Sequence, residues 1–107
     1  MQVFLSPLAE FKVQMILDYL ESEWTAQVRE TFLKQLIQSL NHISTYPYSF
    51  SQTEEFPGVY KCVVNRHNSL FYRIKADEDE VEVEVITVID NRQNPHKVRE
   101  ELTKHFE

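Results

Sequence analysis

Hydrophobic residues recur every three or four positions through the first half of the chain and every second position through much of the second half, so helices are expected first and strands afterwards. Gln2 to Leu5 reads as a short strand. Ser6 and Pro7 then supply a helix cap and a proline at the first helical position. From there Phe11, Met15 and Tyr19 fall on one stripe with Ile16 and Leu20 beside it, while Glu10, Gln14, Asp18 and Glu21 fall opposite. This predicts a helix from Pro7 to about Glu23, with the aromatic stripe in the core. Thr25 caps a second helix in which Val28, Phe32, Leu36, Leu40 and Ile43 repeat, supported by Leu33 and Ile37. The short break between the two makes an antiparallel helical hairpin.

The segment from Thr45 to Pro57 holds two prolines and four aromatics without a period. It reads as a loop pinned by Tyr46, Tyr48, Phe50 and Phe56, closed by a turn at Gly58. Three strands are expected next, Val59 to Asn65, Ser69 to Lys75 and Val81 to Ile89, joined by hairpin-length links into an antiparallel meander. Tyr60, Cys62 and Val64 share one face with Leu70, Tyr72 and Ile74. Lys61, Arg73 and Lys75 share the other, with Arg92 beside them. The apolar face is expected to pack on the helical hairpin and the cationic face to stay uncovered, although pairing of those cations with Glu82 and Glu84 is an equal alternative.

The strongest stretch is Val81 to Lys97, VEVEVITVIDNRQNPHK. Nine residues rich in branched side chains suit a largely buried strand, and the run ends in Asp90, Asn91, Arg92, Gln93 and Asn94. Asn94 and Pro95 then start a short helix with Val98, Leu102 and Phe106 on one stripe. The fold class is therefore α+β, with an N-terminal strand and helical hairpin packed on an antiparallel sheet and a short C-terminal helix. At 107 residues the chain is expected to form a single domain over residues 1–107.

Composition narrows the chemistry. The net charge is −6, from 17 acidic and 11 basic residues, so the molecule as a whole repels polyanions. Seven of the acids lie at Glu54, Glu55, Asp77 to Glu80 and Glu82, which leaves other surfaces free to be neutral or basic. The lone Cys62 sits within a strand, where a small buried hydrophobe is the reading and a catalytic thiol is not. His42, His67, His96 and His105 show no metal-ligand spacing, and one glycine cannot build a phosphate loop. No cofactor and no metal site are expected. With no leader pattern and no apolar run of bilayer length, no membrane partner is expected and the location is cytoplasmic.

SPLAEF near the start, LFYRI in the middle strand of the meander and VITVIDNRQNPHK at the end, in this order of elements, resemble the RelE/ParE superfamily of toxins from type II toxin–antitoxin systems, often labelled plasmid stabilisation proteins. The resemblance covers nearly the whole chain. It implies one of two targets. RelE-like members cleave mRNA on the ribosome with basic residues that stabilise charge on the scissile phosphate. Residue by residue, Arg92 and Lys61 correspond to that set and are the catalytic candidates under that reading. Ser69 stands where another arginine is expected and Val98 near the place of a tyrosine, and a net charge of −6 opposes RNA binding.

The ParE-like branch is closer. Its members are associated with inhibiting DNA gyrase through protein contacts, which makes Lys61, Arg73, Lys75 and Arg92 target-binding candidates, since arginine suits carboxylate pairing at an interface. Either branch implies a cognate antitoxin, expected over the exposed flank of the helical hairpin and the strand edge at Val3, Phe4 and Leu5. A non-toxic binding module on the same scaffold is the third reading.

Overall fold

The computed structural model describes residues 1–107. Strand β1 (Gln2–Leu5) leads into helices α1 (Pro7–Glu23) and α2 (Ala26–Thr45), followed by β2 (Ser51–Gln52), β3 (Val59–Val63), β4 (Asn68–Ala76), β5 (Val81–Asp90) and helix α3 (Pro95–His105). The five strands form one sheet in the order β1-β5-β4-β3-β2. The meander is antiparallel as expected, while β1 lies parallel to β5, with Val3 opposite Val83 and Leu5 opposite Val85.

Local chemistry sets the element ends. Ser6 Oγ accepts from the Ala9 amide at 3.0 Å, and Thr25 Oγ1 accepts from the Val28 amide at 3.1 Å. Asn94 Oδ1 accepts from the His96 amide at 2.9 Å, one turn before the sheet face that α3 covers. β3 ends two residues earlier than the alternation suggests. Asn65 Oδ1 takes the amide protons of His67 and Asn68, each at 2.8 Å, and this side-chain turn replaces strand pairing. Gly58 holds φ +84°, the left-handed backbone that its turn needs.

A bulge in β5 decides which side chains face where. Phe71 pairs with Thr87 and Tyr72 with Val85, so Ile86 has no partner on β4. Before and after it, Val83, Val85 and Val88 face the helical hairpin, where they pack with Leu70, Tyr72, Phe32, Leu36 and Ile43. Ile86 and Ile89 join Val59, Phe71 and Leu102 in a second core under α3. Ser6 ties this irregularity to the start of α1: its hydroxyl donates to the Ile86 carbonyl at 2.6 Å and its amide to the Val85 carbonyl at 2.9 Å.

Three expectations are corrected. The stripe Phe11, Met15 and Tyr19 is not core; these residues are 62%, 53% and 57% exposed. Positions two apart on a helix differ by about 200°, so the face that carries Ala9, Val13 and Leu17 inward turns this stripe outward. Tyr46 and Tyr48 are likewise exposed, so only Phe50 and Phe56 pin the loop, within which Ser51 and Gln52 pair with Lys61 and Tyr60. Finally, the second sheet face is not open: α3 lies across much of it.

Candidate functional site

The partly covered second face leaves a cleft of about 420 Å³ between α3 and the loop that precedes β3. Phe71, Ile89 and Leu102 give it an apolar floor, Phe56 and Val98 narrow it, and Lys61, Asn91, Gln93 and Arg99 bring polar groups to its walls. β3 places Lys61 here because its neighbours in the alternation, Tyr60 and Cys62, are committed to the hairpin core. Lys61 is exposed and carries no ion pair.

Acids balance the cations of this cleft. Arg99 grips Glu55 through two bonds, at 2.7 and 3.0 Å, and Glu54 stands in the same wall. The paired guanidinium holds the Glu55 carboxyl below its usual range. With Lys61 and Arg99 set against Glu54 and Glu55, the cleft has no net positive charge with which to hold a phosphate whose oxygens gain charge. No group of three or more His, Cys, Asp or Glu residues comes together in a way that would hold a metal ion.

The polar mouth of β5 is built by Asn91. Its amide donates to the His67 carbonyl at 2.7 Å, its side-chain nitrogen to the Arg66 carbonyl at 3.1 Å, and its side-chain oxygen accepts from the fully buried Ser69 at 2.6 Å. The tip of β5 and the β3–β4 turn are thereby locked together. Arg92 projects from this tip, 80% exposed, and Asp90 holds it with bonds of 3.0 and 2.8 Å. That guanidinium draws the Asp90 carboxyl down to about 2.

The cations expected to cluster do not. Arg73 is opposite Glu84, whereas Asp90 is opposite Asn68, five positions farther along β4, which separates Arg73 from the Arg92 end by about 16 Å. Arg73 donates to Glu84 at 2.7 Å and lies 4.9 Å from the centre of the Phe106 ring. His105 reaches the same Glu84 oxygen at 2.8 Å. Burial pushes the Glu84 carboxyl up, but the bonds from His105 and Arg73 outweigh it and leave the group below its ordinary value. Lys75 extends over Phe4, 5.8 Å from the ring centre. The four residues thus divide into Lys61 in the cleft, Arg92 at the strand tip, and Arg73 and Lys75 at the opposite end.

On the other flank, Val3 and Leu5 pack into the hairpin core, so the outer edge of β1 offers backbone groups and Phe4 in place of three free side chains.

A family model described as ParE toxin of type II toxin-antitoxin system, parDE, matches residues 3–95. The chain belongs to the ParE toxin family. Among solved structures, it is similar to a YoeB/ParE toxin from Agrobacterium tumefaciens at TM-score 0.65 and 9% identity, covering 85% of this chain and 99% of that one. A chain of a chromosomal ParDE toxin–antitoxin system from P. aeruginosa gives TM-score 0.68 and 14% identity over 84% of this chain and 95% of the other. A doubly arginine-substituted variant of the E. coli toxin RelE in the free state gives TM-score 0.58 and 19% identity, covering 99% and 97%. No curated protein matches. These likenesses show the RelE/ParE fold, and family membership brings a cognate antitoxin with it. Nearly all of α3, the helix that roofs the cleft, lies beyond the ParE match, whereas the likeness to RelE spans 99% of this chain.

Sequence reasoning missed Arg99, the partners of Glu55 and Asn91, and the outward turn of the α1 stripe. Arg99 and Glu55 are 44 residues apart, and no local pattern joins them.

Proposed function

We propose that this chain is a ParE-like toxin that acts by gripping a protein target, DNA gyrase, and is kept inactive by its antitoxin until that partner is lost. The observation that carries this reading is the charge balance of the cleft. The cations a ribonuclease would turn on a phosphate are either offset by Glu54 and Glu55 or spread to opposite ends of the sheet. A net charge of −6 also weakens attraction to RNA.

Target contact is assigned to Lys61 and Arg92, the two of the four expected cations that neither Glu84 nor Phe4 engages. Arg92 is exposed and oriented by Asp90, ready to exchange that carboxylate for one on a partner. The antitoxin is assigned to the hairpin flank and the outer edge of β1, where an added strand would find free backbone groups. The location is cytoplasmic, where such a target works.

Expression without the antitoxin should arrest growth, and the purified chain should inhibit gyrase supercoiling without cutting mRNA on ribosomes. Arg92→Ala and Lys61→Ala should each weaken the inhibition. Ribosome-dependent cleavage that those substitutions abolish would replace this reading with the RelE-like one. Normal growth on expression would make the chain a non-toxic binding module.

A further inference from the structure

β2 is the outermost strand on the side of the sheet away from β1, and no further strand covers its outer edge. The Thr53 amide donates to the Val59 carbonyl at 2.7 Å, so Thr53, and by alternation Ser51, turn their backbone groups toward β3. Gln52, between them, turns its amide and carbonyl outward to the open edge. Its side chain is held back by the chain itself, where Oε1 accepts from the Gly58 amide at 2.8 Å.

This edge lies in the longest uncharged run of the sequence. Gln35 to Thr53, 19 residues, contain no Asp, Glu, Lys or Arg. A molecule of net charge −6 repels its own copies, so two of them meet most easily where that charge is absent. Polyanions and anionic lipid find no cation in the run. An exposed aromatic stands beside the edge: Tyr48, 67% exposed, is edge-on to Tyr60 with ring centres 6.3 Å apart, and Tyr60 is the residue opposite Gln52. The loop that carries Tyr48 is fixed by Tyr72, whose hydroxyl donates to the Pro47 carbonyl at 2.6 Å. A tyrosine presented so firmly is buried by a partner at little entropic cost.

We infer that two copies of this chain join through the outer edges of β2 into one continuous sheet. Gln52 lies opposite Gln52 of the other copy about a twofold axis, and the pair exchanges two N–H···O bonds. Ser51 then faces Thr53 of the other copy, and the two Tyr48 rings close over the axis. The flanking acids do not oppose this. Glu55 is bound by Arg99, and the two Glu54 residues fall four strand positions apart, about 13 Å, beyond the screening length of about 8 Å in physiological salt. The axis runs perpendicular to the sheet, so both α3 clefts open on the same side and both β1 edges stay free at its ends. This contact is independent of the target and antitoxin assigned above.

Sedimentation equilibrium of the full 12.8 kDa chain should give a concentration-dependent dimer with a Kd in the micromolar range, as expected of a small interface. Tyr48→Glu and Tyr48→Lys should each weaken it by at least about tenfold with an unchanged melting temperature, and an equal mixture of the two should recover a dimer. Gln52→Cys should form an intermolecular disulfide in air, because Cα atoms paired in this way are about 5.5 Å apart. Glu78→Cys, in the remote acidic turn, should not.

A chain that remains monomeric at the highest attainable concentration overturns the proposal. So does a dimer that both Tyr48 substitutions leave unchanged, or a Gln52→Cys chain that dimerises yet stays reduced. A monomer whose Gln52 amide gains exchange protection only when an uncharged extended peptide is added overturns it as well, and gives the edge to a foreign strand.

Discussion

Replacing Glu84 with glutamine isolates the charge that fastens the end of α3 to the sheet. The carboxylate is 7% exposed and one of its oxygens receives both Arg73, at 2.7 Å, and His105, at 2.8 Å. Glutamine keeps the shape and an acceptor but removes the charge. Hydrogen bonds to a charged group contribute about 1.5–3 kcal/mol net and neutral ones about 0.5–1.5 kcal/mol, so two weakened bonds lose about 2 kcal/mol together. Arg73 is 30% exposed and regains part of this by hydration, which leaves an expected loss of about 1–2 kcal/mol. For a chain near 100 residues that lowers the melting temperature by roughly 5–10 °C. Thermal unfolding followed by circular dichroism measures the total, and amide exchange measures whether the α3 amides lose protection first. An unchanged melting point together with unchanged exchange in α3 would refute the reasoning. As a control, Arg73→Leu with Glu84→Leu removes both charges and should cost less than Glu84→Gln alone.

Acid should release the same fastening. Because the Glu84 carboxyl titrates below its unfolded value, the unfolded chain binds more protons between the two pKa values. Its contribution is complete above about pH 4.3 and fades as pH falls through the native value, so wild type and Glu84→Gln should converge in melting temperature on acidification. Asp90, drawn to about 2 by Arg92, adds an effect of the same sign at lower pH, damped by its exposure to solvent, which Arg92→Ala should remove. Tyr72 is fully buried and donates to the Pro47 carbonyl at 2.6 Å, so Tyr72→Phe should destabilise by about 1–3 kcal/mol in a urea titration by stranding that carbonyl. Gly58→Ala meets no atom within 4 Å, so its cost is purely that of φ +84°, about 1 kcal/mol by the same assay, and no loss at all would disprove the turn.

The elements of the fold were legible because local signals agree with the tertiary answer. Ser6-Pro7, Thr25 and Asn94-Pro95 mark the three helix starts where the structure has them, and the run from Val81 marks β5. Faces were harder. α1 has two rows of apolar residues, and only contact with the sheet selects Ala9, Val13 and Leu17 over Phe11, Met15 and Tyr19. The bulge at Ile86 is equally silent in sequence, because Val85, Ile86, Thr87 and Val88 suit a strand on either side. Only part of the cleft was legible: Lys61 could be placed on its face, but Arg99 and the pairings could not. Lys61 and Arg92 lie where their strands put them, but the pairings of Arg73 with Glu84 and Arg99 with Glu55 depend on register and on α3 docking, neither of which alternation encodes.

The parallel pairing of β1 with β5 sets the timing of folding. Gln2 to Leu5 meet their partners only at Glu82 to Val85, and Ser6 reaches Ile86 across 80 residues. During synthesis the opening strand must wait, unpaired, until four-fifths of the chain exists, and a contact that distant closes late. A chain halted before Val81 lacks the strand that joins β1 to the rest of the sheet, and with it Ile89 and Leu102 of the cleft floor and Arg92 itself. The finished shape is therefore all or nothing: a fragment released early has neither the complete sheet nor the cleft.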